Sequence, residues 1–260
     1  MRKCWLILLF TISTVAGLAT AQNTPTSDPQ ALSMAAQTVA SLSGGLAISD
    51  LTLSGNASWV AGSDKESGTV TLLAKGFSES RVDLNLSGGT RSEIRNANGS
   101  LNAGNWIGID GVSHAISPHN CLTDATWFFP ALGTLAAVKA SSSLVLSYIG
   151  LENVQQTSLQ HIRSQTYNTS WPAAKQLSAI DFYLDSQTFL PTVVTFSEHP
   201  DHDETVNIAV EVMFSDYRNV SGATIPFHIQ RYVNNSLALD IQVTSAIVNS
   251  GIPDSQFTLQ

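Results

Sequence analysis

Residues 184–196 read LDSQTFLPTVVTF, and residues 214–232 read FSDYRNVSGATIPFHIQRY. In each stretch an alternation of apolar and polar residues runs into a polar turn, and a proline follows that turn closely. Proline cannot donate a hydrogen bond to a β-ladder, so it is confined to strand starts and edges. Pro191 and Pro226 both meet this condition, and both stretches are therefore predicted to be β-hairpins.

The same period of two runs through much of the chain after Leu51. Successive side chains of a strand point to opposite faces, so these segments each have one apolar and one polar side. One-sided burial is typical of antiparallel sheets, because parallel sheets are covered on both faces. About ten strands are expected. The clearest apolar faces are Val82, Leu84 and Leu86; Ile180, Phe182 and Leu184; Ile208, Val210, Val212 and Phe214; Ile225, Phe227 and Ile229; and Leu239, Ile241 and Val243.

One amphipathic helix is predicted ahead of the strands. Asp28 can cap its start, Pro29 suits the first helical position, and Gly44 can end it in the left-handed conformation. Apolar residues at spacings of three, four and seven predict its buried face. These residues are Leu32, Ala35, Ala36, Val39 and Leu42.

The segment 124–140, DATWFFPALGTLAAVKA, breaks the pattern of strands. It is too apolar for a surface loop, and it lacks clean alternation. We expect a short helix capped by Asp124, a break at Pro130, and a second short helical piece. The chain is therefore predicted to be an α+β protein with one helical insertion in a run of strands.

The first residues have the layout of a secretory signal peptide. Arg2 and Lys3 provide a positive start, an apolar run follows, and Ala19-Thr20-Ala21 is a small-x-small cleavage site. The apolar run is shorter than the ~20 residues that a membrane-spanning helix needs. We expect residues 1–21 to be a signal peptide, cleaved after Ala21, and the mature protein to be exported, periplasmic or secreted, without a transmembrane segment.

Composition limits what the mature chain can be. Loss of Arg2 and Lys3 changes the net charge from −8 to −10, which disfavours nucleic acid and anionic membrane surfaces as partners. Of the two cysteines, only Cys121 remains after cleavage, so no intrachain disulfide is expected. We expect a flexible segment at 22–30 and a single domain over 31–260, held together by its core.

Several short motifs mark turns near the end of the chain and resemble the LolA-like superfamily of outer-membrane lipoprotein-sorting proteins. The resemblance is clearest over residues 180–260. Its residues are Asp185, Thr188 and Pro191 in the first hairpin; Asp216, Tyr217, Arg218, Gly222, Pro226 and Phe227 in the second; and Asn249, Pro253 and Phe257 near the C-terminus.

This resemblance implies a strongly curved, half-open antiparallel sheet whose concave apolar face is covered by helices. In the lipoprotein carriers of the family, that face holds the acyl chains of a lipoprotein. The implied partner is therefore a lipid or a lipoprotein. Four residues stay open as equivalents of the carriers' ligand-gating arginine: Arg81, Arg91, Arg95 and Arg163.

Two stretches contain side chains that could bind a metal ion. His114, His119 and Cys121 lie close together in sequence, but their spacing fits no standard zinc motif, and a buried structural role is expected for the thiol. Residues 197–204, SEHPDHDE, contain oxygen and imidazole ligands between two predicted strands, where a solvated loop is the favoured interpretation. This second group consists of His199, Asp201, His202, Asp203 and Glu204. We predict no metal site, no cofactor and no catalytic residues.

The aromatic run Trp127-Phe128-Phe129 is the most suggestive candidate site. Neighbours on a helix point about 100° apart, so the three rings cannot face the same way. Two can pack into the sheet while the third lines a cavity, although all three could simply be core. Together with Leu132 they are predicted to form a lid or pocket.

Three functions follow from these observations. The leading one is an exported, non-enzymatic protein that binds lipid or a lipid-linked partner in the concave face. The second is a structural or protein-interaction module whose concave face is filled by its own side chains. The third is a metal-dependent enzyme built on the histidine-rich loop.

Overall fold

A computed structural model describes residues 25–98, 101–154 and 156–260. Within these ranges the chain forms three α-helices and thirteen strands, and a 3₁₀ turn lies at Asn120–Leu122 and another at Asp254–Phe257. The predicted signal peptide lies outside the described residues. The helices are α1 (Pro29–Ser43), α2 (Thr134–Ala137) and α3 (Ala174–Leu177). The first six strands are β1 (Asp50–Ala61), β2 (Asp64–Lys75), β3 (Glu79–Leu86), β4 (Gly89–Asn98), β5 (Leu101–Ile107) and β6 (Ser113–Ala115). The other seven are β7 (Leu144–Val154), β8 (Thr157–Thr166), β9 (Ile180–Asp185), β10 (Pro191–Glu198), β11 (Ile208–Val220), β12 (Ala223–Val233) and β13 (Ser236–Val248).

All the described strands belong to one curved, open antiparallel sheet, which confirms the predicted fold class. The order across the sheet is β6-β5-β4-β3-β2-β1-β13-β12-β11-β10-β9-β8-β7. Two meanders therefore meet at the central pair of β1 and β13. The first meander runs outward from the centre to the β6 edge, and the second runs inward from the β7 edge.

This topology explains why the segment between β6 and β7 is apolar. β6 and β7 are opposite edges of the sheet, so the connection from 116 to 143 must cross from one edge to the other. It does so over the concave face, where its side chains join the main core cluster with residues of both meanders. We call residues 116–143 the crossing segment.

Helix α1 covers another part of the same face. Asp28 caps it through a 2.7 Å bond from the Gln30 amide, and Gly44 ends it with φ of 60°, as predicted. A side chain at Gly44 would collide with the Gly222 carbonyl, so glycine is needed where the helix meets the β11–β12 turn. The buried face differs slightly from the prediction, because Ala36 is exposed and Thr38 is buried. The buried residues of the helix are Ala31, Met34, Ala35, Thr38, Leu42 and Ser43.

The residues just before helix α1 are bonded to the sheet. Ser27 Oγ accepts a 3.0 Å bond from the Leu146 amide, and the Asp28 amide donates 2.8 Å to the Leu146 carbonyl. These bonds attach the chain to the edge strand β7 before the helix begins. Ser27 and Asp28 are therefore held against the sheet.

The structure contains more strands than the sequence predicted. The prediction of about ten strands rested on apolar alternation, and β4 does not show it because charged side chains stand at its inward positions. β6 has only three residues, all exposed, and is too short to carry a periodic signal. Among the described helices, none has both the length and the hydropathy that a membrane-spanning helix requires.

Candidate functional site

The concave face changes character at β4. Residues that lie directly opposite each other on neighbouring strands point to the same face of the sheet. Arg91 lies opposite Leu84, and Glu93 lies opposite Val82. Leu84 and Val82 belong to the core cluster, so Arg91, Glu93 and Arg95 point to the concave side. Charged side chains therefore line one part of a face that is apolar elsewhere.

Each of these charges has a partner of opposite sign. Arg91 donates two hydrogen bonds to Glu66, of 2.6 and 3.1 Å, in a bidentate geometry. The Arg95 Nε donates 2.9 Å to Glu93, and its Nη1 donates 2.7 Å to the carbonyl of Asn120 on the crossing segment. Three ion pairs result: Arg91 with Glu66, Arg95 with Glu93, and Arg231 with Glu198.

The neighbouring arginines keep Glu66 and Glu93 ionised. Burial raises the pKa of Glu93, but the charges of Arg95 and Arg231 outweigh burial and hold that pKa below its ordinary value. The hydrogen bonds from Arg91 likewise lower the pKa of Glu66. The pairs of Arg91 with Glu66 and of Arg95 with Glu93 are therefore charged at neutral pH, and each has no net charge.

A cavity of about 330 Å³ opens between these pairs and the central strands. We call it the tryptophan cavity, because three indole rings line it. Apolar side chains contribute most of the remaining wall, and Arg231 and Arg91 lie at its polar side. Its principal lining residues are Trp59, Trp106, Trp127, Val82, Leu84 and Leu239.

The cations stand against the indole rings. The Arg91 guanidinium lies 4.3 Å from the ring centre of Trp59, and that of Arg231 lies 5.6 Å from the ring centre of Trp127. These distances are in the range of cation–π contacts. Trp106 stacks on His114 at 4.2 Å between ring centres and is 43% exposed, so it borders the opening of the cavity.

The predicted aromatic run is divided between core and cavity. Trp127 lines the tryptophan cavity, whereas Phe128 and Phe129 are completely buried and Leu132 is 3% exposed. The Trp127 and Phe128 rings meet edge to face, with centres 5.5 Å apart. The division follows from the turn conformation of this stretch, which directs neighbouring side chains to different sides.

The local structure of 124–140 differs from the prediction. Residues 125–128 form turns instead of a helix, and only Thr134–Ala137 is helical. Asp124 is nevertheless a cap, since it accepts bonds from the amides of Thr126 and Thr134 at 2.9 and 3.0 Å. A side chain at Gly133 would overlap the Asp124 carboxylate, so glycine is required there. Asp124 thus closes the turn on both sides of the aromatic run.

The two histidine stretches meet in the structure, although they are 80 residues apart. The rings of His119 and His199 pack edge to face with centres 5.8 Å apart, and both are buried. His114 instead stacks on Trp106. Burial raises the pKa of the Cys121 thiol, which disfavours a reactive thiolate. In the described ranges, no three histidine, cysteine, aspartate or glutamate side chains are grouped so that they could hold a metal ion.

The interpretation of 197–204 as a solvated loop is wrong for His199. This residue is 3% exposed, its amide donates 2.9 Å to the Asn120 side chain, and its Nδ1 lies 3.0 Å from the Val206 carbonyl. The cause is the crossing segment, which packs on this end of β10. Asp201, His202 and Glu204 are exposed, as the prediction required.

A second group of titratable side chains lies on the convex face. His161 contacts Glu152 through Nδ1 and Asp181 through Nε2, both at 2.6 Å, while Arg163 also donates to Asp181. Burial lowers the pKa of His161, but the hydrogen bonds to Asp181 and Glu152 outweigh burial and raise it. The ring of Tyr183 stacks on the imidazole at 4.4 Å. This arrangement stabilises an imidazolium across three strands.

His161 should make stability fall as the pH rises. Its folded pKa is raised, so its contribution is complete below the unfolded pKa of about 6.5 and is lost as the pH rises through the folded value. Urea denaturation from about pH 6 to about pH 9 should show a steeper decrease in the wild type than in His161→Gln. The exposed control His202→Gln should keep the wild-type slope, and equal slopes in all three proteins would contradict the assignment.

Comparisons with known proteins identify the fold. No family model and no curated protein sequence matches the chain. Among solved structures, an outer membrane lipoprotein-sorting protein domain from Vibrio parahaemolyticus superposes with a TM-score of 0.60 at 8% identity, covering 88% of this chain and 96% of that one. A LolA superfamily protein from Nitrosomonas europaea gives 0.53 at 10% identity, covering 88% and 97%. The chain has the LolA-like fold.

A third structure agrees with this assignment. A DUF1329 family protein from Desulfovibrio piger superposes with a TM-score of 0.58 at 12% identity, covering 90% of this chain and 100% of that one. At such low identities the likeness shows the fold.

The turn motifs have structural roles in the LolA-like sheet. Asp185 accepts bonds from the amides of Gln187 and Thr188, which forms the β9–β10 turn. The Tyr217 hydroxyl donates 2.6 Å to the Pro191 carbonyl, so the two hairpins hold each other in register. The Asn249 side chain accepts a hydrogen bond from the Ser49 amide and donates one to the Ala47 carbonyl, just before the start of β1. These motifs determine architecture and do not line the tryptophan cavity.

The four candidate arginines divide between the two faces. Arg81 pairs with Asp83 and Arg163 with Asp181 on the convex side, whereas Arg91 and Arg95 stand on the concave side. The sequence analysis did not identify Trp59, Trp106 or Arg231 as site residues. The charged side of the cavity did have a signal in the sequence, namely the alternation Arg91-x-Glu93-x-Arg95, in which three charges share one face of a strand.

Proposed function

We propose that this protein is an exported, non-enzymatic binding protein that buries an apolar group of a lipid or lipid-linked partner in the tryptophan cavity. The observation that carries the proposal is an open cavity of about 330 Å³ with mainly apolar walls, at the place where both meanders and the crossing segment meet. Ligand pockets in proteins are typically concave, mostly apolar and about 300–1,000 Å³ in volume.

Apolar burial can supply the binding energy. Each buried methylene contributes about 0.8 kcal/mol, so a chain of about ten carbons contributes roughly 8 kcal/mol before the cost of association is subtracted. The indole rings offer large flat surfaces that lose little conformational freedom on binding. Strong polar recognition is therefore unnecessary, and the paired state of the surrounding charges agrees with this mechanism.

The proposed site residues divide into one that contacts ligand and three that support it. Trp127 faces the cavity and would form part of its wall or lid. Phe128, Phe129 and Leu132 pack into the core and hold the crossing segment against the sheet. Movement of Trp127 would change access to the cavity while its neighbours kept the segment in place.

A structural or protein-interaction module is the second candidate function. The observation in its favour is that much of the concave face is filled by the protein's own side chains. Fully buried residues of this face include Phe128, Phe129, Phe182, Leu42, Leu146 and Ile162. In that case the tryptophan cavity would be a packing defect without a ligand.

Titration with dansyl-dodecylamide, an uncharged fluorescent probe, separates these candidates. Binding in the tryptophan cavity should produce energy transfer from the indoles to the dansyl group. Ala238 lines the cavity, so Ala238→Trp should fill it and weaken binding at least tenfold. Ala209 is exposed on the opposite face, and Ala209→Trp is the matched control that should bind as the wild type does. If the probe fails to bind the wild type, the second candidate is correct.

A further inference from the structure

The volume of the tryptophan cavity limits what can enter it. A cavity of about 150 Å³ accepts benzene, which corresponds to about 25 Å³ per carbon, so 330 Å³ accommodates about 13 carbons. One acyl chain of medium length fits this space. The two or three chains of a lipoprotein anchor do not.

The surrounding core resists enlargement. Phe128 and Phe129, which adjoin Trp127, are completely buried, and the Asp124 cap fixes the turn that carries them. Further room on the concave face would require these rings to leave the core and meet water. Trp127 differs from them in that it already borders the cavity.

The charge around the cavity selects among head groups. Arg91 and Arg231 line the cavity and are each paired with a carboxylate, and the lining Glu93 is paired with Arg95. Each arginine at the cavity therefore has a counter-charge. An anionic head would meet Glu93 as well as Arg91 and Arg231, and it would have to displace a carboxylate already bound to an arginine. An uncharged head with hydroxyl groups can instead donate to these carboxylates without separating any pair.

We infer that the tryptophan cavity takes a single-chain lipid of medium length with an uncharged head and excludes multi-chain anchors. This inference rests on the proposed function and names the ligand class of the same site. Trp59, Trp106 and Trp127 enclose the acyl chain. The paired side chains of Arg91, Glu93 and Arg231 form the polar boundary where the head group remains.

Displacement of dansyl-dodecylamide by a series of monoacylglycerols, from octanoyl to hexadecanoyl, tests the size limit. Affinity should rise about fourfold per added methylene as far as the dodecanoyl compound and then level off, since later carbons remain in water. In Ala238→Trp the affinity should level off at a shorter chain. In Ala209→Trp the plateau should stay where it is in the wild type.

Two further competitors test the ligand class. Dodecanoate should bind at least tenfold more weakly than monododecanoylglycerol, and a synthetic triacylated lipopeptide should not displace the probe. Tighter binding of the lipopeptide than of every monoacylglycerol, or a rise in affinity that continues to hexadecanoyl, would overturn the size limit and leave the proposed function intact. Equal binding of dodecanoate would overturn the head-group selection. Absence of probe binding would instead refute the proposed function itself.

Discussion

Phe128→Ala should lower the free energy of unfolding by about 3–5 kcal/mol, the usual cost of truncating a buried aromatic ring. Phe128 has no exposed surface and packs in the core cluster that joins both meanders to the crossing segment. Its removal leaves a void that the surrounding strands cannot close, because their positions are held by the sheet. Urea denaturation at neutral pH measures the loss.

Trp127→Ala is the matched comparison. Part of the indole already faces the tryptophan cavity, so its removal forfeits fewer contacts and should cost less than Phe128→Ala. The same variant should weaken dansyl-dodecylamide binding at least tenfold, whereas folded Phe128→Ala should bind nearly as the wild type does. If Trp127→Ala is the more destabilising change and leaves binding unaltered, Trp127 belongs to the core and not to a site.

Arg95→Met should lower the free energy of unfolding by about 3 kcal/mol at neutral pH, at the lower end of the range for breaking a buried ion pair. Arg95 is 5% exposed and bonds to Glu93, the Asn120 carbonyl and the Thr123 hydroxyl. Methionine fills the volume but leaves Glu93 with Arg231 as its remaining counter-charge. The lower end applies because the Glu93 side chain keeps 31% of its exposure.

A double-mutant cycle and a control variant separate the charge effect from packing. Glu93→Met combined with Arg95→Met should cost less than the sum of the single changes, since no carboxylate is then left without its partner. Arg81→Met removes an ion pair on the convex face and should cost at most about 1 kcal/mol. Additive effects in the cycle would show that Arg95 acts through packing alone.

Local structure was predictable wherever neighbouring residues in the chain decide it. The cap at Asp28, the first-turn proline and the glycine end of α1 all form as the sequence indicates. The hairpin at 184–196 also forms, because Asp185 and Thr188 supply the turn bonds within a few residues of each other. The period of two identified those strands whose inward side chains are apolar.

The alternation of apolar residues by itself predicted an antiparallel sheet, and the curved LolA-like form of that sheet was implied by the family resemblance of the motifs in the last third of the chain. The site depended on contacts between distant residues. β4 was missed because its inward side chains are charged and are neutralised by residues of other strands, as in the pair of Arg91 and Glu66. His199 is buried because the crossing segment must pass from one sheet edge to the other. Tertiary structure alone therefore decided that Trp127 faces a cavity while Phe128 and Phe129 fill the core, since the sheet topology sets which side of the segment is covered.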